Sequence, residues 1–190
     1  MPTVILKAGR DRSLIRRHPW IFSGAVQKIE GEPESGTTVE IIDAKGNFLA
    51  RGAWSPRSQI VCRIWSFDPA EQITPDFFKT RLQQAVSLRT STSIPDTTNA
   101  YRLVNAESDG LPGLVVDRYD DFLVCQFQAA GVERWKKEIT EALASLIPAK
   151  GIYERSDTDS RTKEGLEPSE GVIAGEEPPP LVQIREKDWH

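Results

Sequence analysis

Short extended runs of β-branched and aromatic residues, each closed by turn chemistry, fill the first third of the chain. Val4 to Leu6, Trp20 to Phe22 and Val26 to Ile29 are brief. Thr37 to Ile42, Asn47 to Trp54 and Ile60 to Trp65 are longer and read as strands. Gly31-Glu-Pro-Glu-Ser-Gly36, Asp43-Ala-Lys-Gly46 and Ser55-Pro-Arg-Ser58 supply the turns between them. Arg10 to Arg16 predicts one or two helical turns, with Asp11 and Ser13 as candidate caps. Five or six short strands in so few residues predict a small β-barrel or sandwich, because closing a sheet hides its edges.

The pattern changes at Asp68-Pro69. Thr74-Pro75-Asp76 carries the marks of a helix start, and Phe78, Leu82, Ala85 and Val86 then recur at helical spacing to about Leu88. Ser91 to Asn99 reads as a polar loop. Tyr101 to Val104 predicts a strand, followed by the turn Asp109-Gly-Leu-Pro-Gly113 and a hairpin of Leu114 to Tyr119 with Phe122 to Phe127. Val132 to Ile147 predicts a second amphipathic helix, stopped by Pro148. Ile152 to Arg155 predicts a strand, Ser156 to Glu177 a polar, Gly-rich tail, and Leu181 to Arg185 a last strand behind three prolines. The second part is therefore α+β, and there is no internal repeat. The close of the chain at Lys187-Asp-Trp-His190, directly after a predicted strand, reads as an interruption, as in a fragment of a longer protein.

Charge divides the chain at the same place. The net charge of −4 over 190 residues is the sum of +4 in residues 1–67 and −8 in residues 68–190. A basic first part points to a polyanionic partner for that part. Lys7, Arg10, Arg12, Arg16, Arg17 and His18 crowd into a dozen residues beside Pro19 and Trp20, a plausible phosphate-binding surface or, on the plainer reading, a solvated loop over a core Trp20 and Phe22. No run reaches the ~20 apolar residues of a membrane span. Cys62 and Cys125 are far apart and each sits in an apolar run, as in a reduced, cytoplasmic protein.

Enzyme chemistry is not assembled in the sequence. There is no Gly-rich strand-to-helix turn for a nucleotide or an adenosyl cofactor, no metal-ligand cluster and no Ser/His/Asp set. Both cysteines are expected in the core rather than as nucleophiles. Arg102, Glu107, Asp109, Asp117 and Arg118, with Tyr153-Glu-Arg-Ser-Asp157, bring acids next to arginines, which suits structural or interdomain pairs better than acid–base catalysis.

Four stretches carry a resemblance: Arg16-Arg-His-Pro-Trp-Ile-Phe-Ser-Gly24, Leu49-Ala-Arg-Gly-Ala-Trp-Ser-Pro-Arg-Ser-Gln-Ile60, Glu107-Ser-Asp-Gly-Leu-Pro-Gly-Leu-Val-Val-Asp-Arg-Tyr119 and Tyr153-Glu-Arg-Ser-Asp157. Together the chain resembles the ribosomal RNA large subunit methyltransferase I family, S-adenosylmethionine-dependent enzymes that methylate cytosine C5 in 23S rRNA. The resemblance implies a PUA-like RNA-binding domain over residues 1–70 and a central α+β domain over 74–190. The family's third part, a Rossmann-like domain with the cofactor site and the nucleophilic cysteine, finds no match in these residues. No catalytic, cofactor-binding or metal residue is therefore carried over, and S-adenosylmethionine belongs to the intact family enzyme.

The expectation that follows is a substrate-recruiting portion. Residues 1–70 would bind 23S rRNA through Lys7, Arg10, Arg12, Arg16, Arg17 and His18, with help from Arg51, Arg57 or Arg63. The alternative is a protein-interaction module, with Arg102, Glu107, Asp109 and Asp157 at an interface to a catalytic domain or to a second subunit, including a homodimer. Neither reading involves a membrane.

Overall fold

The structure is a computed structural model that describes residues 1–92 and 94–187. Ser93, inside the expected polar loop, and Asp188, Trp189 and His190, at the expected interruption, lie outside the described residues.

Six strands form the first sheet: β1 (Thr3–Leu6), β2 (Trp20–Phe22), β3 (Val26–Glu30), β4 (Thr38–Ile42), β5 (Phe48–Trp54) and β6 (Ile60–Ser66). Their order is β2-β6-β5-β4-β1-β3, with β1 parallel to β4 and the other neighbours antiparallel. Strand alternation sends Val4, Leu6, Val39, Ile41, Cys62 and Ile64 inward as one apolar core. Among the described residues no ladder joins β2 to β3, so the sheet is a curled half-barrel rather than the closed barrel expected.

The second sheet has the order β11-β10-β9-β8-β7, from β7 (Ala100–Asn105), β8 (Leu114–Tyr119), β9 (Phe122–Phe127), β10 (Gly151–Ser156) and β11 (Ser169–Gly175). β9 and β10 are parallel, which requires a crossover. The crossover is helical, and with α2 (Pro75–Thr90) it supplies the side chains that cover the sheet, Phe78, Leu82, Ile139 and Leu143 among them.

Several sequence expectations differ from the structure. The helix expected over 132–147 is two helices, α4 (Ala130–Arg134) and α5 (Lys136–Leu146), broken at Trp135. The break lets α4 press Gly131 against the first sheet while α5 lies along α2. A Cβ on Gly131 would stand 2.4 Å from Ala53 Cβ and 2.6 Å from the Trp65 ring, so only glycine allows this approach. The tail expected to be irregular contains β11 and the short helix α6 (Asp159–Lys163), whereas Leu181 to Arg185 is not a strand. Its end is instead held at Asn99, whose N–H donates to the Arg185 carbonyl and whose Oδ1 accepts the Arg185 N–H, while the Lys187 N–H donates to the Thr97 carbonyl. The expected loop also holds one helical turn, α3 (Ile94–Thr97), and the caps expected at Asp11 and Thr74 form no side-chain hydrogen bond.

The two sheets share apolar contacts rather than meeting across water. Trp65 from β6 stands edge-on to Phe77 and Phe78 of α2, at centroid distances of 6.4 and 5.3 Å, and Phe78 packs on Trp135. Ala53 and Trp65 thus belong to the core of the second sheet.

A charged network fastens α4 and α6. Arg161, 4 % exposed, donates to the Phe127 carbonyl and to Glu133 Oε2, both at 2.7 Å. Lys136 bridges Glu133 at 2.7 Å and Glu154 at 3.0 Å. Burial raises the Glu133 carboxyl pKa, and hydrogen bonds from Arg161 and Lys136 outweigh it, holding the group below its ordinary value. Its stabilising contribution is then complete above the unfolded-chain value of about 4.3 and is lost as pH falls through the folded value. Thermal melts of the protein and Glu133→Gln are expected to differ most near neutral pH, with the gap shrinking towards pH 3. A gap independent of pH would contradict the assignment.

Candidate nucleic-acid interface

The basic stretch is organised by one anchor. α1 (Arg12–Ile15) is a single turn whose Leu14, 2 % exposed, enters the core of the first sheet. Burying Leu14 turns Arg12, Arg16 and Arg17 towards solvent. Arg17 closes the turn with φ +61 and is held by its N–H donating to the Leu14 carbonyl at 2.8 Å. Its guanidinium lies 4.9 Å from the Phe67 ring centroid. His18 Nδ1 accepts from the Trp20 N–H at 3.2 Å, so that face of the imidazole is occupied. Lys7, also exposed, donates to the Gly24 carbonyl at 3.0 Å.

β2 presents the aromatic side of this face. It pairs with β6 so that Ile21 is buried and its neighbours point the other way. Phe22 is 49 % exposed. Trp20 is half-buried and donates its indole N–H to Glu107 Oε1 at 2.7 Å, a bond between the first sheet and the second unit. A cavity of about 460 Å³ lies between Arg10, Arg12, Trp20 and Phe22.

The expected site residues thus fall into two groups. Lys7, Arg10, Arg12, Arg16, Arg17 and His18 share the exposed surface of α1 and its flanks, and Arg57 is exposed at the turn before β6. Arg51 and Arg63 are not free cations. Arg51 is buried and donates to the carbonyls of Pro69 and Glu71, at 3.0 and 2.6 Å, fastening the link between the units. Arg63 pairs with Glu164 at 2.8 Å, with side chains 13 % and 1 % exposed. Their charge is used inside the protein.

The four interdomain candidates divide similarly. Glu107 reaches across to Trp20. Asp109 is gripped by both terminal nitrogens of Arg89, at 2.6 and 2.8 Å, and accepts the Asn105 N–H, all within the second unit. Arg102 pairs with Asp117 across β7 and β8, and hydrogen bonding to that carboxylate raises its pKa further. Asp157 is exposed and lies 3.8 Å from Arg155. Among the charged contacts that sequence reading missed is Arg63–Glu164, whose partners are 101 residues apart.

The thiols of Cys62 and Cys125 are fully buried, and burial raises the pKa of both. Neither can present a thiolate to a substrate. Among the described residues no cluster of His, Cys, Asp or Glu is placed to hold a metal. No described helix is long and apolar enough to cross a membrane.

Residues 4–67 match a family model described as a PUA-like domain. A ribosomal RNA large subunit methyltransferase I from Photobacterium profundum is 51 % identical over 185 residues, covering 97 % of this chain and 47 % of its own length. The protein of the same name from Tolumonas auensis is 52 % identical over 186 residues, again covering 47 % of its length. A candidate SAM-dependent methyltransferase from Streptococcus mutans superposes with a TM-score of 0.76 at 20 % identity, covering 94 % of this chain and 44 % of that one. A second candidate methyltransferase, solved with SAH, gives 0.80 at 20 % identity, with 98 % and 46 % covered. The chain spans about half the length of the curated relatives it matches. Over that span its curated relatives, at about 50 % identity, are ribosomal RNA large subunit methyltransferases I, and residues 4–67, which build the first sheet, match a PUA-like domain.

Proposed function

We propose that these residues are an RNA-recruiting portion of a 23S rRNA cytosine methyltransferase, with residues 1–70 making the contact. The observation that carries the reading is the α1 face. Four arginines, Arg10, Arg12, Arg16 and Arg17, stand exposed within eight residues, and none is in an ion pair among the described residues. Arginines that serve structure in this protein find acids or carbonyls, as Arg51, Arg63, Arg89 and Arg161 do. A cluster left unpaired is available to phosphate, and displacement of counterions from RNA supplies the affinity. The test is retention of a 23S rRNA fragment by the protein in a low-salt gel shift. Binding is expected, and its absence overturns the reading.

The interaction-module alternative has less support. Of its four residues only Glu107 crosses between the units, while Arg102, Asp109 and Asp157 are satisfied locally.

The Streptococcus mutans structural neighbour is described as SAM-dependent, and in this reading the 190 residues hold no site for that cofactor. The turn at Gly113 packs on Ala129, where a Cβ would stand 2.5 Å from Ala129 Cβ, and both thiols are buried. No step is therefore assigned to the cofactor in these 190 residues. Calorimetric titration of this chain with S-adenosylmethionine is expected to give no saturable heat, and a stoichiometric isotherm would contradict the assignment.

A further inference from the structure

The α1 face does not end at Phe22. The same ring also lines a second cavity, of about 810 Å³, at the joint between the two units. Arg57 and Phe22 line it from the first sheet, Thr162 and Lys163 from α6, and the buried Arg63–Glu164 pair closes it. Phe22 therefore lines both cavities, one shared with Arg10 and Arg12 and the other with Arg57 and Lys163.

Two features separate this arrangement from an ordinary exposed phenyl ring. Arg57 is held in place: its stem lies on Gly165, where a Cβ would stand 2.2 Å from Arg57 Cδ and where φ is +75. Arg57 and Lys163 are both exposed, and neither forms an ion pair among the described residues, although Glu164 is adjacent to Lys163 and is taken by Arg63. The cleft thus keeps two free cations beside an aromatic face, in a volume within the range of small-ligand pockets. Aromatic faces with flanking cations are how proteins hold unpaired nucleotides, whereas a duplex keeps its base faces stacked out of reach.

Building on the RNA-binding reading, we infer that the cleft receives an unpaired stretch of RNA, one base stacking on Phe22 while neighbouring phosphates meet Arg57 and Lys163. The second unit then takes part in recognition, and the RNA path runs from α1 across Phe22 to α6.

The test is fluorescence anisotropy with a labelled single-stranded oligoribonucleotide and a duplex RNA of equal length. Phe22→Ala is expected to weaken single-strand binding about tenfold, Phe22→Tyr to restore it, and duplex affinity to stay unchanged. Lys163→Gln is expected to reduce the salt dependence of single-strand binding by about one contact. Circular dichroism establishes that each variant is folded. If Phe22→Ala and Lys163→Gln leave single-strand affinity intact while charge reversal at Arg16 and Arg17 weakens it, the cleft is not the site and the RNA-binding reading stands. If Phe22→Ala weakens both RNAs equally, stacking is overturned. If the protein binds neither RNA, both readings fall.

Discussion

Replacing Glu164 by alanine is expected to destabilise the protein by about 3–5 kcal/mol, among the largest single-residue effects in it. The side chain is 1 % exposed, one oxygen accepts from Arg63 at 2.8 Å and the other faces the Ala130 N–H at 3.4 Å. Removing the carboxylate leaves the Arg63 guanidinium, only 13 % exposed, without its counter-charge. The cost arises from that stranded charge rather than from any net worth of the pair. Arg63→Met together with Glu164→Leu should therefore recover much of the loss, since both charges go at once. Denaturant unfolding checks this, and a single Glu164→Ala change costing under about 1 kcal/mol would contradict it. The same substitution also frees α6 from β6, so the position of Lys163 depends on it.

The second large effect concerns binding. Arg16→Glu with Arg17→Glu is expected to reduce the salt slope of rRNA binding by about two phosphate contacts, and to weaken binding further by repulsion. Stability should change little for Arg16, which is exposed and unpaired among the described residues. For Arg17 the loss is restricted to its stacking on Phe67, worth about 0.5–1 kcal/mol at an exposed site. Wild-type affinity in the folded double variant would assign the α1 cations to plain solvation.

The parts of the fold visible in the sequence are those decided locally. Thr38–Ile42 and Ile60–Ser66 are strands because their β-branched and aromatic side chains suit a half-buried pleat, and α2 begins where Thr-Pro-Asp places it. β11 was hidden because Ser169-Glu-Gly-Val-Ile-Ala-Gly175 has little strand character of its own, and its form comes from pairing with β10. Leu181 to Arg185 fails in the opposite way, with an apolar run but no strand ladder beside it. The helix break at Trp135 depends on Ala53 and Trp65, far away in sequence, which dictate where Gly131 must sit.

The candidate site divides along the same line. The clustering of Arg10, Arg12, Arg16 and Arg17 was plain because they are neighbours in the chain. Arg51 and Arg63 looked equally free, since nothing near them in sequence announces the Pro69 and Glu71 carbonyls or Glu164. Lys163 was concealed in a tail without periodicity, and only the fold brings it to Phe22. The spacing of charges along the chain gives their number on a face, while the acids that neutralise them are contributed by distant segments.

The most direct measurement is the affinity of the protein for a 23S rRNA fragment over a series of salt concentrations. With about five cations of the α1 face meeting phosphate, log K should fall linearly with log salt with a slope of about −4. A slope near zero, or no binding at the lowest salt, would contradict an RNA-recruiting role for the PUA-like domain.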